Sequence, residues 1–306
     1  MEQTPQGTPG AGRQVQYCGQ CGAPNPAGSN FCAQCGRPMA PAGFAGAGST
    51  AGQRTEINIP HPNVQEQHVR ISVGACRLIL RRGDTSAWVA GSYDDPTGSL
   101  PCRVIQEGGT ARITQRPQFT GLPGWGRGVP TFDLALGTGQ PYALTIETGA
   151  SENTFELGGL PLTRLVLKLG AGKNTVRFLE PNPQAMSLLD MDAGAGNMEL
   201  YGLANANFAA MMLDGGAAAF ICDFGGTLQR DASVHITTGL ATVELRIPAA
   251  TAARVIPEST LGHLDAGNGF TAREGGYWTA PALEGARPSL TIQANVALGS
   301  LRLVAT

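Results

Sequence analysis

The amino-acid sequence predicts a mainly β protein, built as a right-handed single-chain β-solenoid behind a small N-terminal module and a flexible linker. Three observations support this prediction. Short runs of alternating apolar residues fill residues 57–306, which is the period of a half-buried strand. No long amphipathic helix pattern occurs there. A glycine-centred unit recurs at intervals of about 21 to 28 residues, which is the range of stacked repeat proteins.

Composition and charge narrow the classes of function. Of 306 residues, 42% are hydrophobic and 14% are charged, so the chain can bury a sizeable core. The net charge of −2 gives no general attraction to nucleic acid or to an anionic membrane. The first residues lack an apolar signal core, and no run of 18 apolar residues occurs. We therefore expect a cytoplasmic location and no membrane insertion.

The strongest chemical motif lies near the N-terminus. Cys18, Cys21, Cys32 and Cys35 form two CxxC pairs separated by ten residues. Each pair can wrap a turn so that both thiolates face one ion, and four soft ligands in tetrahedral reach select zinc, with iron as the rarer alternative. So short a segment folds on the binding energy of the metal. The stretch resembles the zinc-ribbon module common at the N-termini of bacterial proteins, and all four ligand positions match.

The ribbon divides the chain into four predicted parts. Residues 1–16 form a disordered tail, 17–38 the zinc ribbon, 39–56 a flexible linker and 57–306 the solenoid. Between Arg13 and Met39 the only charged residues are Arg13 and Arg37. Phosphate backbones require more positive charge than this, so a structural or protein-binding ribbon is favoured over one that binds nucleic acid.

The repeat is defined by a glycine that follows two apolar residues at fixed spacing. A unit of strand, turn and strand cannot bury its own apolar face, whereas stacked units can. We expect the turn glycines to require positive φ. The anchors are Gly74, Gly149, Gly170, Gly194, Gly216, Gly239, Gly267 and, with asparagine in place of glycine, Asn295.

One turn, KLGAGKN at residues 168–174, looks superficially like a phosphate-binding loop. Asn174 stands where that loop needs Ser or Thr, and Leu167 stands where it needs its first glycine. The same turn recurs without lysine. Lys173 is therefore predicted to be a surface lysine.

With the repeat defined, a family resemblance appears. The segments LVLKLGAGKNTVRF, LDMDAGAGNMELYG and VHITTGLATVELRIP resemble the toast-rack β-solenoid at the C-terminus of cell-wall-active antibiotic response (LiaF-like) proteins, over roughly residues 65–306. In that family the domain follows membrane helices and takes part in envelope-stress signalling. The resemblance implies a β-solenoid without catalytic residues.

Stacking should align equivalent side chains into rows. One predicted row places Glu147, Lys168, Asp192 and Asp214 on successive rungs. Like charges at the last two positions would raise one pKa or attract a cation, the alternative being a solvated polar face on strands whose other face is core.

A second candidate site places two imidazoles and a carboxylate on neighbouring rungs. His235, His263 and Asp265 could bind a transition metal there, the alternative being two exposed histidines. The remaining cysteines, Cys76, Cys102 and Cys222, are scattered and predicted to be core residues.

Two segments carry expectations about the ends of the solenoid. Residues 84–140 break the repeat and are expected to cover its first edge. The last rung runs to Thr306 with no residues left for a cap. An uncovered edge templates pairing with another chain, so self-association through the C-terminal rung is expected.

The sequence thus favours a non-enzymatic scaffold, adaptor or stress-sensor-associated protein that acts through protein contacts with a partner the sequence does not identify. The alternative is a carbohydrate-active or metal-dependent enzyme that uses one face of the solenoid. Zinc is the only cofactor implied, and no catalytic residue stands out.

Overall fold

A computed structural model describes residues 15–17, 23–26, 29, 32–35, 53–115, 128–258, 262–273 and 275–306. The chain forms two compact units, Met1–Thr50 and Ala51–Thr306. In the first unit, β1 (Val15–Tyr17) pairs antiparallel with β2 (Pro24–Pro26). Most of the predicted tail and linker lie outside the described residues.

The second unit is almost entirely β. Its first strand begins at Gln53, four residues before the predicted start of the solenoid at residue 57. Its strands are β3 (Gln53–Ile59), β4 (His68–Val73), β5 (Cys76–Arg82), β6 (Val89–Asp95), β7 (Cys102–Glu107), β8 (Thr110–Gln115), β9 (Thr131–Leu136), β10 (Tyr142–Glu156), β11 (Leu162–Arg177), β12 (Met186–Tyr201), β13 (Phe208–Asp223), β14 (Ala232–Ile247), β15 (Ala252–Glu258), β16 (His263–Ala266), β17 (Thr271–Arg273), β18 (Gly276–Trp278) and β19 (Ser289–Ala305). A 3-10 helix (Leu203–Ala206) and the single-turn helix α1 (Ala280–Leu283) are the helices of the described residues.

The repeat predicted from the glycines is confirmed as a stack of parallel strands. The strands β10 to β14 follow one another in space as they do in sequence, each paired in parallel with the next. Each of these long strands forms one rung, with a first half, a bend at the anchor glycine and a second half. The β-solenoid fold class is therefore confirmed, while its right-handed winding stays a prediction.

Alternate side chains of each rung fill the interior. The first apolar position of every unit forms one continuous buried column, and burying each such side chain stabilises the fold by roughly 1.5–3 kcal/mol. Because the register is constant, side chains of matching size meet across every strand pair. This column contains Leu144, Leu165, Leu189, Met211 and Val234.

The anchor glycines are required for a reason other than the predicted one. None of Gly170, Gly194 and Gly216 has positive φ; instead, a Cβ at each would lie 2.6, 2.8 and 2.4 Å from the carbonyl oxygen of the glycine one rung earlier. Glycine is needed there because the backbones approach too closely for a side chain. The left-handed region is reached two residues later, at Gly172 with φ of 145°.

A buried polar ladder crosses the solenoid behind the bend. Asn153 and Asn174 are paired on neighbouring rungs and are 1% and 4% exposed. The Asn153 amide donates to the Asn174 side-chain oxygen at 2.6 Å and to Ser151 Oγ at 2.8 Å. These two bonds satisfy the Asn153 Nδ2 group inside the core, where an unpaired donor would be costly, while its Oδ1 accepts no hydrogen bond. This explains why the residue after Lys173 is an asparagine.

Residues 84–140 cover the first end of the stack, as expected, and also extend it. The strands β4 and β5 form the rung before β10, and β8 and β9 form a further rung beyond them. Across that outermost rung, β7 pairs antiparallel with β8, while β6 pairs antiparallel with β9 and β3. Tyr93 of β6 stacks on Phe132 of β9 at 4.1 Å between ring centroids.

The prediction of an uncovered edge at the other end is wrong, whereas self-association of the chain stays a prediction. The last strand, β19, lies between β14 on one side and β15 with β16 on the other. It offers no open edge, so the argument for self-association through the C-terminal rung loses its basis. β19 takes the place beside β14 because it pairs with β14 along both halves of the rung. β15 is long enough to pair only with the first half of β19, and β16 pairs only with its second half.

Because β19 lies between β14 and the strands β15 and β16, the anchors predicted for the last two units are also wrong. Asn295 pairs with Thr237 rather than standing beside Gly239. Gly267 follows β16, whose strand pairs with the second half of β19, and therefore does not mark a bend. The sequence spacing predicts these anchors only if neighbours in sequence are also neighbours in space, which holds only up to β14.

The close backbone contacts at the anchor glycines predict that alanine substitution changes stability differently at two positions in the same column. At Gly239 a Cβ would have 3.5 Å to the nearest atom, compared with 2.6 Å at Gly170. We expect Gly170→Ala to destabilise the protein by about 1–3 kcal/mol through overpacking. Gly239→Ala should change stability by less than about 0.5 kcal/mol or raise it. Urea unfolding followed by circular dichroism measures both, and equal losses would contradict the account.

Candidate functional site

The N-terminal ribbon is the candidate metal centre. The residues Cys32 to Cys35 form one turn, with Cys32 buried at 2% exposure and Cys35 exposed. Cys18 and Cys21 lie outside the described residues. The second CxxC pair therefore has the compact turn expected of a metal-binding knuckle, and the first remains a prediction.

The side chain of a buried asparagine supports this knuckle. Asn25 lies in β2 and is buried; its Nδ2 donates to the Cys32 sulfur at 3.6 Å and to the Ala23 carbonyl at 2.8 Å. Its Oδ1 accepts from the backbone N–H of Ala33 at 2.8 Å. The amide thus holds the start of the knuckle against β2, and an N–H directed at sulfur stabilises a thiolate.

The chemistry of this donor set suits zinc. Thiolates and a donated N–H match a soft divalent ion better than a hard one. The ribbon as described contains two short strands and one turn, so bound zinc would supply the main stabilisation of its fold. The residues that would hold the ion are Cys18, Cys21, Cys32 and Cys35.

The second predicted metal site is not assembled. His235 pairs with Gln293 in the first half of β19, whereas His263 pairs with Ser300 in its second half. Asp265 instead faces Arg302, with 3.6 Å between its carboxylate and the guanidinium. The insertion of β19 between the two histidine strands separates them. In the described part of the chain no group of three His, Cys, Asp or Glu side chains is placed to hold a metal.

The predicted charged row is present on the outer face. Glu147, Lys168, Asp192 and Asp214 occupy paired positions on β10 to β13, and all four are exposed. The two aspartates are directly opposite each other, an arrangement of like charges that costs stability. The solenoid therefore presents a straight row of charges at the strand spacing of about 4.8 Å.

The three solenoid cysteines have environments unlike those of metal ligands. Cys76 and Cys222 are core residues, and burial raises the pKa of each thiol to about 12. Burial also raises the pKa of the half-buried Cys102 thiol to about 11. Near neutral pH these thiols stay protonated, whereas a metal ligand must be a thiolate.

The structure confirms that residues 168–174 do not form a phosphate-binding loop. Lys173 is exposed on β11 and pairs with Glu152 on the neighbouring rung. The surrounding residues form continuous parallel strand rather than a loop before a helix. No helix in the described residues is long and apolar enough to cross a membrane.

Two solved structures of similar shape come from candidate adhesion proteins. A candidate cell adhesion protein of Clostridium sporogenes matches with a TM-score of 0.45 and 12% identity, over 83% of this chain and 100% of its own. A candidate adhesin of Bacteroides fragilis matches with a TM-score of 0.42 and 7% identity, over 84% of this chain and 98% of its own.

One further solved structure and two sequence models of domains also match this chain. A candidate lipid-binding protein of Parabacteroides distasonis matches with a TM-score of 0.38 and 11% identity, over 84% of this chain and 98% of its own. A search of curated proteins found no match. The sequence model of a zinc-ribbon domain matches residues 17–39, and that of the N-terminal domain of toast_rack (DUF2154) matches residues 48–201. The chain therefore belongs to the toast-rack family and carries a zinc ribbon in front of its toast-rack domain.

Proposed function

We propose that this protein is a non-enzymatic adaptor of the cytoplasm, in which the zinc ribbon and the solenoid each contact a protein partner. The observation that carries the proposal is the charged row on the outer face of the solenoid. The row stands on a body whose core is packed along its whole length, so its spacing is fixed. A rigid row of charges suits recognition of an extended protein surface, since complementary charges determine partner choice and register.

The acidic end of the row supports a basic partner. Asp190, Asp192 and Asp214 stand on the same face of β12 and β13, and none of the ion pairs among the described residues involves them. The direct opposition of Asp192 and Asp214 weakens the isolated domain. A lysine or arginine from a partner would remove the repulsion between the two aspartates. Removal of this repulsion would make the free energy of association more favourable.

The ribbon is proposed to bind zinc and to act as the second contact module. Zinc would hold the two knuckles together, while Asn25 orients Cys32 through its N–H bond to sulfur. The exposure of Cys35 places one end of the knuckle at the surface.

The zinc assignment predicts a stoichiometry that two substitutions remove. Purified protein should carry about one zinc per chain, and Cys32→Ser with Cys35→Ser should abolish it, because two thiolates cannot hold a tetrahedral site. The β signal in circular dichroism should remain, since the solenoid is a separate compact unit.

A milder substitution tests the part played by the asparagine. Asn25→Ala should weaken zinc affinity in a chelator competition by about 10-fold or more, the usual effect of losing an outer-shell partner. Gln34→Ala, an exposed change in the same turn, serves as the control and should retain the affinity. Stoichiometric zinc in the double cysteine variant would refute the site.

The adaptor proposal predicts that two separate sets of partners are lost independently. Protein captured by the full chain should divide into a set lost with Asp192→Asn and Asp214→Asn and a set lost with the double cysteine variant. Asp84→Asn, an exposed change at the first end of the solenoid, is the matched control. Capture that neither variant alters, with both proteins folded, would argue against an adaptor.

A further inference from the structure

A small pocket on the outer face of the solenoid has the composition of an anion site. Its volume is about 160 Å³, and it lies across three neighbouring rungs near the capped first end. Each rung contributes two side chains, so that the six form a regular array of two columns. The lining residues are Arg112 and Thr114 from β8, Arg70 and Ser72 from β4, and Thr145 and Glu147 from β10.

Two arginines face each other across this pocket. Arg70 and Arg112 are paired positions of adjacent strands, and like charges directly opposite each other destabilise a sheet. Among the described residues, neither forms an ion pair. By contrast, Arg77 and Arg177 each have a carboxylate oxygen at 2.9 Å. The pocket therefore holds two positive charges without an ion-pair partner, beside the single carboxylate of Glu147.

A neighbouring histidine responds to this charge. His68 lies one step along β4 from the pocket, with its Nε2 2.8 Å from Thr145 Oγ1. Burial lowers the pKa of its imidazole, and repulsion by Arg70, Arg164 and Arg112 lowers it further. Three guanidinium groups thus act together at this end of the face.

Hydroxyl groups surround the arginines. Ser72 donates to a Glu147 carboxylate oxygen at 3.2 Å, and Thr114 donates to the Arg103 carbonyl at 3.4 Å. A hydroxyl rotates to suit its partners and both donates and accepts. Arginine guanidinium groups, together with serine and threonine hydroxyls, commonly bind tetrahedral oxyanions.

We propose that this pocket binds the phosphate group of a ligand between Arg70 and Arg112. The guanidinium groups donate to the phosphate oxygens, and the bound charge removes the repulsion between them. Glu147 occupies the opposite side of the pocket, so the phosphate lies toward the arginines. Two sources share this chemistry, a free phosphate compound and the headgroup of an anionic lipid.

Phosphate titration of the full-length protein tests the proposal. Inorganic phosphate, added to wild-type protein in a buffer free of other oxyanions, should give saturable heat and a raised melting temperature. Arg70→Gln and Arg112→Gln should each weaken the affinity by about tenfold or more. In the absence of phosphate, each variant should melt at or above the wild-type temperature, because the repulsion is gone.

The control is Arg273→Gln, which removes the same charge from an exposed position on β17 at the other end of the chain's second unit. It should leave phosphate affinity unchanged. A second arm compares vesicles of phosphatidylcholine alone with vesicles that also contain phosphatidic acid. Binding to the acidic vesicles that both pocket variants lose identifies a headgroup as the source, and binding of free phosphate alone identifies a soluble compound. If neither probe shows binding that depends on Arg70 and Arg112, or if Arg273→Gln weakens it equally, the proposal is overturned.

Discussion

The close approach of backbones at the bends is the constraint on which the solenoid depends. At Gly170 and Gly216 the carbonyl oxygen of the preceding rung occupies the space that a Cβ would fill. This contact fixes the place of the bend in the rungs of β11, β12 and β13, so both halves of these strands stay in register with their neighbours. If one rung bent a residue earlier, its second half would present polar side chains to the core, because side chains alternate along a strand.

Constant register has two consequences of opposite kind. Inside, it builds unbroken columns of apolar side chains and the Asn153–Asn174 ladder, which give the domain its stability. Outside, it forces side chains of adjacent strands into direct opposition whether or not their charges agree. The Asp192–Asp214 and Arg70–Arg112 pairs are such conflicts, one of each sign, on the same outer face. Both proposals for binding rest on the expectation that ligands of opposite charge resolve these conflicts.

The sequence predicts what is local and repetitive, and fails where the chain departs from sequential stacking. The anchors from Gly149 to Gly239 are correct because each rung there follows its predecessor directly. The expectation that these glycines need positive φ is wrong. Sequence spacing alone does not distinguish a glycine needed for left-handed backbone from one needed because two backbones lie too close for a side chain. The pairing of His235 with His263 fails because β19 inserts between their strands. Likewise, the Arg70–Arg112 pair could not be found from periodicity, because β8 lies outside the repeat.

The candidate metal site follows the same division. The CxxC spacing predicts all four thiolates because each pair is local, and that set stays a prediction. The contribution of Asn25 depends on a hydrogen bond to a residue seven positions later, which the local sequence around Asn25 does not indicate.

The central claim is that the solenoid is a register-locked stack in which β19 is an interior rung, and hydrogen–deuterium exchange of the full-length protein tests it most directly. In a strand that has a paired neighbour on both sides, the backbone amides exchange only when the whole domain unfolds. We predict that residues 289–305 exchange as slowly as residues 232–247. We also predict that residues 102–107, an edge strand, exchange much faster. Exchange of residues 289–305 at the rate of that edge strand would contradict the account.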